Sequence, residues 1–202
     1  MKIYQTQTAP NPRRVRVFLA EKGIEMEYVE VDIVAGENLT AEMRAKNPST
    51  KVPFLALDDG TCISETVAIC RYFEELHPKN PLMGRTALEK AQVEMWQRRV
   101  EFNFMNQIGM CFQHSTGYFK DRMTPIPAWG EEAGKNALSY LTQLNEHLAR
   151  STYLVGDYFS IADITLLCAL DFGRVVKVRA NDELVHLQAW YKNVSTRASA
   201  AA

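Results

Sequence analysis

Three short stretches in the first third of the chain carry groups that could hold a small, anionic, peptide-like ligand. Ser64-Glu65-Thr66 opens a helix-forming run. A helix N-terminus presents free N–H groups and partial positive charge, which suit a carboxylate. Thr66 could donate its hydroxyl to that carboxylate while Glu65 pairs with an ammonium, so an amino-acid headgroup would satisfy both. Simple capping of the helix by Ser64 or Thr66 is the plainer use of the same residues. Lys51-Val52-Pro53 precedes a strand-forming run. If the bond before Pro53 is cis, the Val52 N–H and C=O turn outward to pair with an extended peptide, as in strand addition. A trans proline at a strand edge is the ordinary alternative. The third stretch is Thr8-Ala9-Pro10-Asn11-Pro12-Arg13-Arg14-Val15. Asn11 stands where an N-cap belongs, and an amide donor beside a helix N-terminus could also stabilise a thiolate and lower its pKa.

These stretches need elements to position them. Lys2–Thr6 is β-compatible, and Asn11–Gly23 reads as a helix with Pro12 at its first position and Gly23 as its stop. Met26–Ile33 alternates like a strand, and a helical turn or two spans Leu39–Lys46 before the Asn47-Pro48 turn. Phe54–Leu57 and Thr61–Ile63 flank Asp58-Asp59-Gly60, a hairpin signal, and Thr66–Leu76 resumes helical spacing. The order β-α-β-α-β-β-α describes a small α/β layer. Pro78, Pro81 and Gly84 punctuate the next stretch. Helical patterns then cover Thr86–Cys111, Ala128–Arg150, Ile161–Val178 and Leu184–Val194.

The whole-chain numbers narrow the function classes. With 202 residues, 47% hydrophobic and 23% charged, the composition is that of an ordinary globular protein. A formal net charge of −1 gives no global field for nucleic acid or an anionic membrane. No run approaches the ~18 apolar residues of a membrane span, and Met1–Thr8 lacks the features of a signal peptide. A cytoplasmic protein without membrane or nucleic-acid partners is expected. Cys62, Cys70, Cys111 and Cys168 form no C-x-x-C pair and read as buried, reduced thiols; no metal-ligand spacing is present.

Read together, APNPRRVRVFLAEKGI, NPSTKVPFL, ISETVAICRYF and YLVGDYFSIADI resemble the cytosolic glutathione transferase family in order and spacing, over essentially the whole chain. The resemblance implies an α+β two-domain fold: a thioredoxin-like domain over 1–80, a linker over 81–86 and an all-helical domain over 87–202. It implies glutathione as co-substrate, no metal, and a homodimer. Val52 would bind the cysteinyl backbone of glutathione with Pro53 cis, Glu65 and Thr66 would hold the γ-glutamyl end, and Thr50 and Lys51 would lie near the glycyl end. Ser160-Ile161-Ala162-Asp163 resembles the family's N-capping box, a folding device.

One departure bears on mechanism. In Ser- and Cys-type members the activating residue falls six before the valine of the first helix, which here is Ala9. Alanine has neither hydroxyl nor thiol. Ala9-Pro10-Asn11 resembles a bacterial Thr-Pro-Asn motif with the threonine replaced, so Asn11, and after it Thr8, are the candidate catalytic residues; Tyr4 and Thr6 lie earlier, with their facing open. Phe102, Met105 and Phe112 are candidates for a hydrophobic pocket, although such a stripe also makes ordinary helix core. The expected reaction is attack of the glutathione thiolate on a small hydrophobic electrophile or a disulfide. The alternative is a catalytically weak ligand-binding or protein-interaction module on the same fold.

Overall fold

The computed structural model describes all 202 residues, and the chain divides into two compact units, Met1–Pro81 with Ala201–Ala202, and Leu82–Ala200. In the first unit β1 (Lys2–Gln5), α1 (Pro10–Lys22), β2 (Glu27–Glu30), α2 (Ala41–Lys46), β3 (Phe54–Ala56), β4 (Cys62–Ser64) and α3 (Thr66–Leu76) follow in the expected order. The sheet runs β2-β1-β3-β4, with β1 parallel to β2 and antiparallel to β3, and β3 antiparallel to β4. Helix α1 makes the crossover that a parallel β1–β2 pair requires. The Asp58-Asp59-Gly60 turn closes the β3–β4 hairpin, with Leu57 N–H donating to the Thr61 carbonyl at 2.8 Å.

Period-two alternation sorts β1. Ile3 and Gln5 are buried, whereas Tyr4 and Thr6 are half-buried on the other face. Tyr4 stacks on Phe54 at 4.4 Å and accepts a hydrogen bond from Lys46 Nζ at 3.1 Å, and Thr6 Oγ1 donates to the Val31 carbonyl at 2.7 Å. Both hydroxyls therefore serve the fold.

Helices α1 and α3 pack together, and buried between them is an ion pair, Lys22 Nζ to Glu74 at 2.7 Å. Lys22 also donates to the carbonyls of Lys79 and Asn80. Helix α1 starts earlier than its sequence suggests. Ala9 is the N-cap, Pro10 takes the first helical position, and Asn11 lies inside the first turn. Pro10 fits there because that position needs no N–H.

The second unit contains α4 (Ala87–Val100), α5 (Asn106–Thr116), α6 (Pro127–Leu148), α7 (Ile161–Gly173) and α8 (Val185–Ser195). Where one long helix is expected from Thr86 to Cys111, Glu101–Met105 forms a π-helical segment joining α4 to α5. Every residue from Ile161 to Leu170 is buried, so α7 is the centre of this unit. Its polar residues are matched: Thr165 Oγ1 donates to Gln97 Oε1 at 2.8 Å and to the Ile161 carbonyl at 3.0 Å. Helix α7 ends at Gly173, short of the expected Val178, and a 3-10 turn follows.

Both halves of the capping box at Ser160 are formed. Asp163 Oδ1 accepts from Leu154 N–H and Trp190 Nε1, each at 3.0 Å, and Oδ2 accepts from the Ser160 N–H and hydroxyl at 3.0 and 3.1 Å. Burial pushes this carboxyl up to about 6, against the pull of those four donors. Cys70, Cys111 and Cys168 are buried, Cys62 is half-buried, and all four are free thiols. No helix is long and apolar enough to cross a membrane.

Candidate functional site

Strand register brings the three sequence stretches to one place. Tyr4 pairs with Phe54 and Phe54 with Ser64, across two antiparallel contacts. Antiparallel pairing puts the end of β1, the start of β3 and the end of β4 at the same edge of the sheet. The Thr8–Asn11 stretch, the Thr50–Pro53 stretch and the Glu65–Thr66 pair all leave the sheet there, with the N-termini of α1 and α3.

At α3, Glu65 is the N-cap and makes no side-chain hydrogen bond into the helix. No side-chain cap therefore satisfies the first-turn donors of α3. Glu65 adopts φ 70°, ψ 121°, a conformation rare outside glycine. Its carboxylate is exposed, and Thr66 is 7% exposed. A residue held in such a conformation beside open helix donors is a common sign of a binding site.

The Val52–Pro53 peptide is cis. Val52 is half-buried and lies two residues ahead of the β3 ladder, so the sheet does not engage its backbone. The preceding loop is held by two asparagines, Asn47, which the sequence marks only as part of a turn, and Asn38. Asn47, 3% exposed, donates from Nδ2 to the Lys51 carbonyl at 2.8 Å and accepts from the Ser49 N–H and hydroxyl. Asn38 Nδ2 donates to the Thr50 carbonyl at 2.7 Å. Thr50 sits at φ 57°, and Lys51 is exposed. The Asn47-Pro48 turn signal was the available clue to Asn47; nothing local marked Asn38.

At α1, Ala9 caps the helix with no side-chain hydrogen bond. Pro10 and Pro12 have no N–H, and Arg13 N–H is bonded to the Ala9 carbonyl at 3.3 Å. Asn11 therefore carries the one backbone donor of this turn that the helix does not use. Its Oδ1 accepts from Arg14 Nη1 at 3.1 Å, and Nδ2 is a second donor on this exposed residue. Thr8 is exposed in the turn that Ala9 N–H closes onto the Thr6 carbonyl. The loop is tied down by Arg16, which donates to Gln5 Oε1 and the Gln7 carbonyl, and by Gln7 N–H donating to Glu30.

The pocket candidates lie in the second unit and differ among themselves. Phe112 belongs to an aromatic cluster with Tyr118, Phe119 and Phe172. Met105 is 8% exposed in the π-helical segment, whereas Phe102 is 57% exposed with the Arg98 guanidinium 5.7 Å from its ring.

The chain is similar to known proteins over its whole length. A family profile described as glutathione S-transferase, N-terminal domain, matches residues 3–81, and one described as glutathione S-transferase, C-terminal domain, matches residues 128–198. Glutathione S-transferase 2 of Saccharomyces cerevisiae is 36% identical, covering 98% of this chain and 87% of its own. A solved glutathione S-transferase domain-containing protein from Marinobacter aquaeolei VT8 superposes with TM-score 0.95 at 42% identity, covering 98% of this chain and 99% of its own. Elongation factor 1-gamma 2 of Oryza sativa is 33% identical over 84% of this chain, but over only 40% of its own length. With both halves matched in order, a relative aligned nearly end to end and the same architecture in three dimensions, the chain belongs to the glutathione S-transferase family.

Proposed function

We propose that the protein is a glutathione transferase whose glutathione site lies at the shared sheet edge of the first unit. The observation that carries this reading is the register chain Tyr4–Phe54–Ser64, which gathers a free backbone segment and two helix N-termini at one edge. Thr66 and the α3 donors hold the γ-glutamyl carboxylate, and Glu65 pairs with the α-ammonium. Val52 and Pro53 border the cysteinyl backbone, and Thr50 and Lys51 take the glycyl end, Lys51 as the carboxylate's counter-charge. The bound sulfur then meets Asn11, with Thr8 on the same loop.

Two amide donors on Asn11, at about 1 kcal/mol each, would lower the bound thiol's pKa by roughly 1.5. That is a modest activation, consistent with a slow enzyme. The thiolate attacks an electrophilic carbon and displaces its leaving group, or it attacks a disulfide sulfur and expels a thiolate. In the second case a second glutathione resolves the mixed disulfide, since Ala9 supplies no cysteine. Phe102, Met105 and Phe112 are the residues proposed to contact the apolar part of the second substrate.

A homodimer belongs to this reading. Leu88 and Met95 stand seven residues apart and are 68% and 40% exposed, an apolar patch that a second copy would cover. Sedimentation of Met95→Glu tests it: a monomer supports the patch as interface, and an unchanged dimer removes it.

A second reading is favoured by one residue. Ala9 stands where a hydroxyl or thiol is usual, and a non-catalytic interaction module would tolerate that loss. Calorimetry with reduced glutathione decides between them. Binding in the wild type that is lost in Thr66→Ala supports the transferase. No binding at millimolar glutathione sinks it and promotes the interaction module.

A further inference from the structure

Arg14 carries a positive charge inside the first unit. It is 2% exposed, on a helix whose other inward residues, Val15, Val17 and Phe18, are fully buried and apolar. A buried guanidinium is costly unless its donors are matched. One donor, Nη1, goes to Asn11 Oδ1 at 3.1 Å, and Arg14 has other interactions besides. Asn11 is exposed and stands three residues ahead, the spacing at which side chains share a helix face.

That bond decides which way round the amide sits. An asparagine amide has an acceptor on one arm and donors on the other, in nearly the same shape, so its sense is set by what its partners offer. A guanidinium has five donors and no acceptor. Only Oδ1 can face Arg14, and Nδ2 must serve a partner other than Arg14. The chain neighbours Pro10 and Pro12 offer no polar side chain to compete for it. A charged donor on Oδ1 also draws electron density toward the oxygen, which makes the Nδ2 protons better donors. The low dielectric around a buried guanidinium strengthens this effect.

We propose that Arg14 is a positioning residue for the transferase reaction: it holds the Asn11 amide with Nδ2 as the arm left for substrate, and polarises it as a donor to the glutathione sulfur. Arg14 acts through Asn11 and need not touch glutathione. This role rests on Asn11 being the thiolate donor, as proposed above, and adds what orients it. The competing use of Arg14 is structural only, tying the first turn of α1 into the unit.

The test follows the pKa of the bound glutathione thiol by thiolate absorbance, with kcat and KM across pH. The variants are Arg14→Met, Arg14→Gln and Arg14→Lys, each with and without Asn11→Ala. Arg14→Met should raise the bound thiol's pKa by about 0.5, somewhat less than loss of the Asn11 side chain, because the amide remains but loses its fixed sense. Arg14→Gln should act alike, since its own oxygen can accept from Nδ2 and turn the amide round. It also keeps a polar side chain at this buried position, so the comparison survives if Arg14→Met fails to fold. Arg14→Lys keeps a charged donor without an acceptor and should recover most of the shift. The acid limb of kcat should move with the thiol pKa while KM for glutathione stays within about twofold. In the Asn11→Ala background the Arg14 substitutions should lose most of their effect. A structural role alone would lower the melting temperature and leave the thiol pKa in place. If Asn11→Ala moves that pKa and neither Arg14→Met nor Arg14→Gln does, the proposal falls while the Asn11 reading stands. An equal shift with and without the Asn11 side chain shows a charge acting at a distance and overturns it as well. If Asn11→Ala itself moves nothing, the Asn11 reading fails and the proposal with it.

Discussion

Replacing Lys22 by methionine should destabilise the first unit by about 3–5 kcal/mol, the usual result of removing one member of a buried ion pair. The Lys22 side chain is 0% exposed and that of Glu74 7%, so solvent screens the pair little. Methionine keeps the packing against Phe18, whose ring lies 5.7 Å from Nζ, but takes the ammonium away from the buried Glu74 carboxylate. The carbonyls of Lys79 and Asn80 also lose a donor, but both residues are exposed and water can replace it, so they contribute little. With a urea slope of roughly 2 kcal/mol/M, the midpoint should fall by about 2 M. All three tryptophans, Trp96, Trp129 and Trp190, lie in the second unit. The shift should therefore show in far-UV circular dichroism and be smaller in tryptophan fluorescence. Lys22→Met with Glu74→Met should recover most of the loss, because an apolar pair of similar volume replaces the ion pair without a stranded charge. A single variant within about 1 kcal/mol of wild type, or a double variant as unstable as the sum of the two singles, would refute the reasoning.

Asp163 gives a pH dependence with a definite sign. Its carboxyl is raised from the ordinary 3.8 to about 6, so the folded chain holds the proton more tightly than the unfolded chain, and stability falls as pH rises through that window by about 3 kcal/mol. Urea midpoints of wild type and Asp163→Asn should diverge by about 1.5 M between those pH values at a slope of roughly 2 kcal/mol/M, and parallel curves would refute the assignment. Glu65→Gly should raise stability by about 1 kcal/mol by relieving the positive φ, while glutathione binding weakens; thermal melts and calorimetry read the two effects separately. Gly84→Ala should destabilise by several kcal/mol, because at φ 93° its Cβ would lie 2.4 Å from the Lys90 amide nitrogen. Asn11→Ala keeps the backbone donor and should raise the bound thiol's pKa by roughly 0.7, followed by thiolate absorbance. An unchanged pKa would take the Asn11 side chain out of the mechanism.

Much of the fold is legible because short-range chemistry marks it. Asp58-Asp59-Gly60 announces the hairpin, Gly23 the end of α1, and Ser160 with Asp163 the start of α7. The start of α1 misleads, since Asn11 is a good N-cap by type, yet Pro10 already has the fixed φ of a first helical position and captures the helix one residue earlier. The site is legible as separate pieces and hidden as a whole. Val52, Glu65 and Thr66 stand out locally and meet through the β3–β4 hairpin, but bringing the Thr8–Asn11 stretch to them depends on a pairing across 50 residues, Tyr4 with Phe54. Asn38 is invisible for the same reason: its partner Thr50 is twelve residues away across an irregular loop.

The π-helical stretch Glu101–Met105 acts as a phase shifter. Adding one residue to a helical turn rotates everything beyond it by about 100° without changing the axis. Upstream, Val93, Gln97 and Val100 are buried on α4, which packs on α7; downstream, Ile108 and Cys111 are buried on α5, which packs on α6. One continuous rod thus serves two neighbours on different sides, and the change of side is encoded by a single surplus residue. Deleting one position within 101–105 would remove little mass, yet it would dial α5 round by a quarter turn and expose the face that α6 covers.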